Sequence, residues 1–411
     1  DLFGNFGLIF ITGITVITAL TSIIGKYIAK PGNKFYEYFE GDSVMHPILY
    51  SIGAIFTLIY TLDYIISGFN GPEIIVGSAT GGTVVPSILV PVFWIIIVSS
   101  FFLPFLLNYG VIDFIGSFLE PLMRPIWKVP GRAAINAIAS FVSSSSVGVL
   151  ITNKLYRQGV YTEKEAVLIA TGFSAVSVGF AYMVIKTAGL QEHFLTVYFT
   201  SLLMTLIVSG FIARIPPFSR KRDVYVDGRK QTREDIEAVQ VKKGKMFKTG
   251  LDRAVKKAYT ANNIFTEIKA SIVDGVLVLP KVVTLIGCIG ISALIIAEKT
   301  PLFDILGKAF VPLLNILKVP NAAEIAPSFP VGIAEMFLPV LLIADKVASL
   351  EIGARYVVTA VSITQIIFFA ETIVVMMASK LPLKLWELVV VFLERTVLAI
   401  IFAAIFMHIL F

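Results

Sequence analysis

An all-α polytopic membrane protein is the fold class the sequence predicts, and three observations predict it. The 411 residues are 56% hydrophobic and only 15% charged, with a mean hydropathy of +0.85, too apolar for a surface that faces only water. The apolar residues come in continuous runs of about 20, the length a helix needs to cross roughly 30 Å of hydrocarbon. The runs do not alternate, which argues against a β-barrel, the other architecture that satisfies backbone groups in lipid.

Taken in order, the expected spans cover residues 8–28, 47–68, 84–107, 166–188, 195–215, 275–297, 354–378 and 385–406. N-terminal transmembrane helices fill 1–83. The numbering opens on Asp1 rather than Met, and one further hydrophobic helix is expected ahead of it. The largest polar stretch follows the fifth run. Residues 214–257 carry fourteen Lys or Arg against six acids, so the chain outside this loop is slightly acidic although the whole is +6. By the positive-inside rule residues 217–260 face the cytoplasm, and the charge speaks for topology and anionic lipid rather than nucleic acid, since no aromatic-interleaved motif accompanies it. Within residues 250–270, Leu251, Val255, Ala258, Tyr259 and Ile268 fall near helical spacing between lysines, so an amphipathic helix on the membrane surface is expected there.

An internal repeat organises the remainder. "PLMRPIWKVPGRAAINAIASF" aligns with "PLLNILKVPNAAEIAPSF" when Lys128 is laid on Lys318, an offset of 190. Each copy continues with a polar-interrupted segment, a short charged loop ("YTEKEA", "SLEIGA"), a helix with polar residues and a long last helix. Residues 84–216 and 272–411 thus form two units, joined by the basic loop and its amphipathic helix at 217–271. Interfacial stretches are expected at 112–127 and 302–317; the first contains Asp113 and Glu120, which show no acid/base pairing in sequence. If the interrupted segment 132–153 dips in and returns, the units are inverted, and Arg124, Lys128, Arg132, Lys154, Arg157 and Lys164 join the loop on the cytoplasmic side. Inverted repeats with broken helices at the midplane mark secondary transporters, whose half-helix ends present backbone groups to a polar solute.

The polar residues at membrane depth give that expectation its chemistry. "SFVSSSSVGVLITN" holds Ser140, Ser143, Ser144, Ser145 and Ser146, with Asn136 just before; Ser174 and Ser177 follow in the next helix. Single serines serve close helix packing, but four in a row cannot all share one packing face, so a bend around hydrated space is expected. In the second unit Ser328 and Glu335 lie in "APSFPVGIAEMFLP", and Ser362, Gln365 and Glu371 lie in the following helix. The offset of 190 sets Ser145 opposite Glu335; an offset of 188 sets Ser174 with Ser362 and Ser177 with Gln365. Pro327, Pro330, Gly332 and Pro339 break the helix around Glu335. A carboxylate at this depth is costly unless paired, protonated or wet, so Glu335 and Glu371 are read as ligands of substrate or of a coupling cation, with Lys186 and Arg395 as the structural alternatives. Glu394 and Arg395 are adjacent and expected to satisfy one another's region.

These residues resemble a known family. The stretch "RPIWKVPGRAAINAIASFVSSSSVGVLITNKLYRQGVYTEKEAVLIATGFSAVS" is similar to the YjiH family of bacterial inner-membrane proteins, while "PVGIAEMFLPVLL" and "QIIFFAETIV" resemble its companion, the nucleoside-recognition or Gate domain. In outline that domain is shared with concentrative nucleoside transporters and the membrane part of a ferrous-iron transporter. The resemblance implies two Gate-like repeats, a transport role, and a central site formed by the serine run, Glu335 and the segment from Gln365 to Glu371.

The function expected is secondary transport of a small polar organic solute, nucleoside-like or amino-acid/peptide-like, coupled to H⁺ or Na⁺ in a bacterial inner membrane. A divalent-cation permease using the two acids and hydroxyls, and a non-transporting scaffold, are the alternatives. No cofactor is expected: Cys288 stands alone, the histidines are His46, His193 and His408, and no GTPase motif occurs. Enzyme chemistry is not expected, because no base accompanies the serines. Oligomeric state is left open, a homo-oligomer included.

Overall fold

The computed structural model describes residues 4–40, 42, 44–134, 136, 140, 145–173, 176, 178–239, 246–379 and 381–411. Ser143, Ser144, Ser174 and Ser177 lie outside them, as does the side chain of Ser146. Six helices among the described residues are long and apolar enough to cross a membrane: Asn5–Ile28, His46–Ile65, Gln191–Ile212, Ile264–Lys299, Ile352–Ala378 and Leu385–Leu410. The protein is an all-helical, multi-pass membrane protein.

One packed set of helices comprises α1 (Gly4–Ile23), α2 (His46–Ile65), α3 (Val90–Leu107) and α10 (Ile264–Lys299). Lipid provides no hydrophobic drive between helices, so hydroxyl pairs and close approach do that work. Thr12 meets Thr61 at 2.7 Å and Thr15 meets Thr57 at 2.8 Å across α1 and α2. Gly53 lets α2 lie directly on α10: a Cβ there would sit 2.1 Å from the Thr284 carbonyl oxygen. Because the obstructing atom is backbone, Gly53→Ala must push the helices apart. It is expected to destabilise by about 1–3 kcal/mol, read as a lowered melting temperature of the purified protein; an unchanged melt would refute the close crossing.

The second set holds the chemistry-bearing segments. It comprises α5 (Ser145–Arg157), α6 (Glu163–Gly172), α7 (Val178–Thr187), α8 (Phe194–Ile212), α11 (Leu338–Ala344), α12 (Ile352–Gln365), α13 (Val374–Ala378) and α14 (Leu385–Leu410). Helices α8, α12 and α14 pack on one another; α6 leans on α8, and α5 packs on α6 and α13.

Two expected spans are not continuous helices. The run at 166–188 is split into α6 and α7, ten residues each, so each half is only about 15 Å long. The run at 354–378 stops at Gln365, passes through Ile366 with φ 50° and extended Phe368, and resumes as a π turn, Phe369–Ile373, leading into α13. Neither break carries a proline. Both are held by distant side chains, as described below.

The amphipathic segment also differs from expectation. Helix α9 (Met246–Tyr259) ends nine residues after its packing glycine, Gly250, and Asn263 starts α10 by accepting from the Phe265 amide at 3.0 Å. Ile268 therefore belongs to α10; the Asn-Asn pair before it is an N-cap signal. Helix α9 lies against α4 (Val111–Trp127), where Gly110, at φ 80°, leaves no room for a Cβ beside Ala254. Its apolar stripe of Phe247, Leu251, Val255 and Tyr259 is exposed, as are Phe118 and Leu122 of α4.

Part of the basic loop is docked. Arg222 reaches Glu163 at 2.7 Å, Lys164 lies 3.7 Å from Asp223, and the Glu163 amide donates to the Val224 carbonyl. Asp113 and Glu120, unpaired in the sequence reading, are buried and ion-paired. Arg132 contacts Asp113 at 2.5 Å, Arg124 bridges Glu120 (3.2 Å) and Glu165 (2.5 Å), and Glu120 also accepts from the Gly131 amide. Glu120 finds Arg124 on the next turn of α4, but Asp113 finds Arg132 beyond the end of that helix, so spacing along α4 reveals only one of the partners.

Candidate functional site

Asn136, on the arm before the serines, meets α5, the arm after them: its Nδ2 donates to Thr152 Oγ1 at 2.5 Å and lies 3.4 Å from the Gly148 carbonyl. Tyr161, after the second arm, is fully buried within electrostatic reach of Arg132 at the start of the first. In the second unit the start and end of the interrupted segment also adjoin: Asn321 Oδ1 accepts from the Glu351 amide at 3.1 Å. Lys128 and Lys318, matched by the repeat, both take left-handed backbone, with φ 58° and 55°.

The break in α12 brings segments distant in sequence together. Ser145 Oγ donates to Glu371 Oε1 at 3.0 Å, joining residues 226 apart in sequence. The first amides of the π turn donate to the proline-flanked loop: Phe369 N to Ile333 O at 2.7 Å and Ala370 N to Ala334 O at 2.9 Å. Glu335, 2% exposed, lies within electrostatic reach of Glu371. One of its oxygens accepts from the Phe337 amide, so the carboxylate is held by backbone donors at the turn into α11. Among the described residues Glu335 forms no ion pair.

Other expected residues lock the break. Gln365 Nε2 donates to the Phe329 carbonyl (2.8 Å) and to Thr396 Oγ1 (2.9 Å), and the Ser362 hydroxyl donates to the Met336 carbonyl. Gln365 Oε1, Asn136 Oδ1 and Ser140 Oγ are buried polar atoms without a partner among the described residues. Ser328 is buried in the short helical turn Ser328–Val331. A buried unsatisfied oxygen costs about 1–3 kcal/mol, so each of the three fits a place that binds water or a polar solute. Among the described residues no three of His, Cys, Asp and Glu gather as metal ligands.

Sequence reasoning missed Ser209 and used Arg395 wrongly. The Arg395 guanidinium is fully buried and turns inward, not toward Glu394. Nη2 donates to Thr364 O at 2.8 Å, Nε to Gln365 O at 3.1 Å and Nη1 to Ser209 Oγ at 3.2 Å. Ser209 in turn donates to the Gly172 carbonyl, where α6 stops, at 2.8 Å. The last carbonyls of a helix are its negative end; one cation thus reaches the ends of both interrupted helices. Glu394 Oε2 is left buried without a partner among the described residues. An Arg in an apolar helix was the available signal.

The fold and site define a multi-pass helical membrane protein in which an interrupted helix brings the Glu371 carboxylate to the Ser145 hydroxyl. The chain belongs to the family of the uncharacterized protein BpOF4_10220 of Alkalihalophilus pseudofirmus, to which it is 37% identical over 413 residues, spanning 98% of this chain and 85% of that protein. Residues 89–191 match the Gate family, described as nucleoside recognition. The sporulation integral membrane protein YlbJ of Bacillus subtilis is 31% identical over 102 residues, 21% of this chain and 25% of that protein. Two variants of CNTnw, each in an outward-facing state, align over 97% and 96% of this chain and 91% and 92% of theirs. Both have a TM-score of 0.45, with 14% and 12% identity.

Proposed function

We propose that the protein is a secondary transporter of a small polar organic solute, nucleoside-like or amino-acid/peptide-like, coupled to H⁺ or Na⁺ and working by alternating access. The observation that carries this reading is the Ser145–Glu371 contact at 3.0 Å, set where α12 is interrupted and α5 begins to be described. A carboxylate at membrane depth is retained for binding or coupling, and exposed backbone at that depth is tolerated where it lines a cavity. The side-by-side arms around Asn136 and Thr152, the closure of Asn321 on Glu351, and the shared left-handed lysines support two re-entrant, inverted Gate-like repeats at 84–216 and 272–411. The Gate match, described as nucleoside recognition, supports a solute site. In this arrangement the basic loop faces the cytoplasm.

The test is uptake by the purified full chain in proteoliposomes, with labelled nucleosides, amino acids and dipeptides, under an imposed H⁺ or Na⁺ gradient. Accumulation that collapses when the gradient is dissipated is expected for at least one solute. Gradient-independent background for the whole panel would refute the reading.

A further inference from the structure

A cleft of about 410 Å³ opens between α5, α3 and α10, away from the central junction. Helix α5 presents Asn153, Lys154 and Arg157 to it, and α10 presents Ser271 and Asp274. A second cavity of about 310 Å³ continues from it past the same Lys154 and Asp274 toward Lys257 of α9. Arg157 precedes Glu163, the residue tied to Arg222, so the cleft lies at the end of the molecule that carries the basic loop. Asn153 lies eight residues along α5 from Ser145, which places the cleft about 12 Å from the central contact.

Two features show that the polar groups here are not merely satisfying one another. Asn153 is 9% exposed and Ser271 2%, and Asn153 Oδ1 and Ser271 Oγ have no hydrogen-bond partner among the described residues. Lys154 Nζ and Asp274 Oδ2 stand 3.8 Å apart, within ion-pair range but beyond hydrogen-bond length. Arg157 has no ion-pair partner among the described residues.

We propose that this cleft is a second binding site, for a zwitterionic solute of amino-acid type, held before it reaches the central junction. The donor and acceptor sets divide accordingly. Lys154 and Arg157 meet a carboxylate, while Asp274, Asn153 Oδ1 and Ser271 Oγ receive an ammonium group, which brings three N–H donors to oxygens that lack them. A nucleoside, being uncharged, would cover charges without pairing them. A lipid phosphate would suit the two cations but meets Asp274 and brings no donor for Asn153. The inference deepens the transport reading by naming the solute class, and rests on it only in placing the cleft on the solute's path.

The experiment is thermal stabilisation followed by calorimetry on the full chain, using the twenty standard L-amino acids singly. Propionate, propylamine, uridine and phosphatidylglycerol vesicles serve as comparison ligands. At least one amino acid is expected to bind while propionate and propylamine do not. Asp274→Asn and Arg157→Gln, both at exposed positions and expected to melt as the parent does without ligand, should each weaken binding at least tenfold. Glu371→Gln should leave cleft binding within twofold. Absence of binding by every amino acid, binding in either cleft variant equal to that of the parent, or a response to phosphatidylglycerol alone would each overturn the proposal. Cleft binding without coupled flux of any solute would refute the transport reading alone. Coupled nucleoside flux without amino-acid binding would refute the cleft proposal alone.

Discussion

Glu371→Gln is expected to lower coupled uptake at least 100-fold, equivalent to about 2.7 kcal/mol in the rate-limiting barrier, while the protein still folds. The glutamine carbonyl can accept the hydrogen bond that Ser145 Oγ now donates to Glu371 Oε1 at 3.0 Å, so the contact between the units survives. What disappears is the negative charge. A coupled transporter needs a group whose occupancy by a proton or cation changes between the two access states, and a carboxylate where a membrane helix is interrupted is that kind of group. Glu335→Gln is expected to cost less, because one oxygen of Glu335 is committed to the Phe337 amide and an amide oxygen accepts there equally well. Uptake of the solute carried by the parent, with and without a gradient, measures both variants against unchanged melting curves. Wild-type coupled uptake in Glu371→Gln would remove the residue from the mechanism.

Hydropathy made the positions of most helices legible, since lipid-facing runs have to be apolar along their whole length. The two Lys-Val-Pro matches share one local feature: Lys128 and Lys318 both turn left-handed before a proline-restrained step. The interruptions were not legible. Residues 166–188 and 354–378 contain no proline and read as uniform spans, and the break in the second passes through a β-branched Ile366 at φ 50°, against its local preference. Such a conformation persists only when long-range contacts over-determine it, and here they come from Ser209 and Arg395, 37 residues from Gly172 and 30 from Gln365. The pairing of Ser145 with Glu371 rather than with its repeat partner Glu335 was equally hidden, because alignment of duplicated units states which residues are equivalent and not which are in contact.

Arg395→Met is expected to destabilise the protein by about 2–4 kcal/mol, the sum expected when buried acceptors lose their donor. The sign needs argument, because replacing a buried charge with an apolar side chain is often neutral or favourable. In this case Arg395 forms no ion pair among the described residues, so methionine strands no anion and removes a desolvation cost. Against that gain stand the carbonyls of Thr364 and Gln365, both at buried residues at the end of α12, where the amides that would continue a helix have turned away through Ile366. Losing their shared donor leaves them unsatisfied, and the left-handed Ile366, which itself costs about 1–3 kcal/mol, loses contacts that hold it in place. Arg395→Lys retains the charge but not the planar fork that serves Thr364, Gln365 and Ser209 together, so an intermediate loss is expected. Hydrogen exchange distinguishes this tie from ordinary packing. Amides near residue 366 and near residue 172 should both exchange faster in Arg395→Met, because Ser209 links Arg395 to the Gly172 carbonyl as well. Faster exchange at one break alone would mean the two are held independently, and wild-type melting with wild-type exchange at both would show that neither depends on the guanidinium.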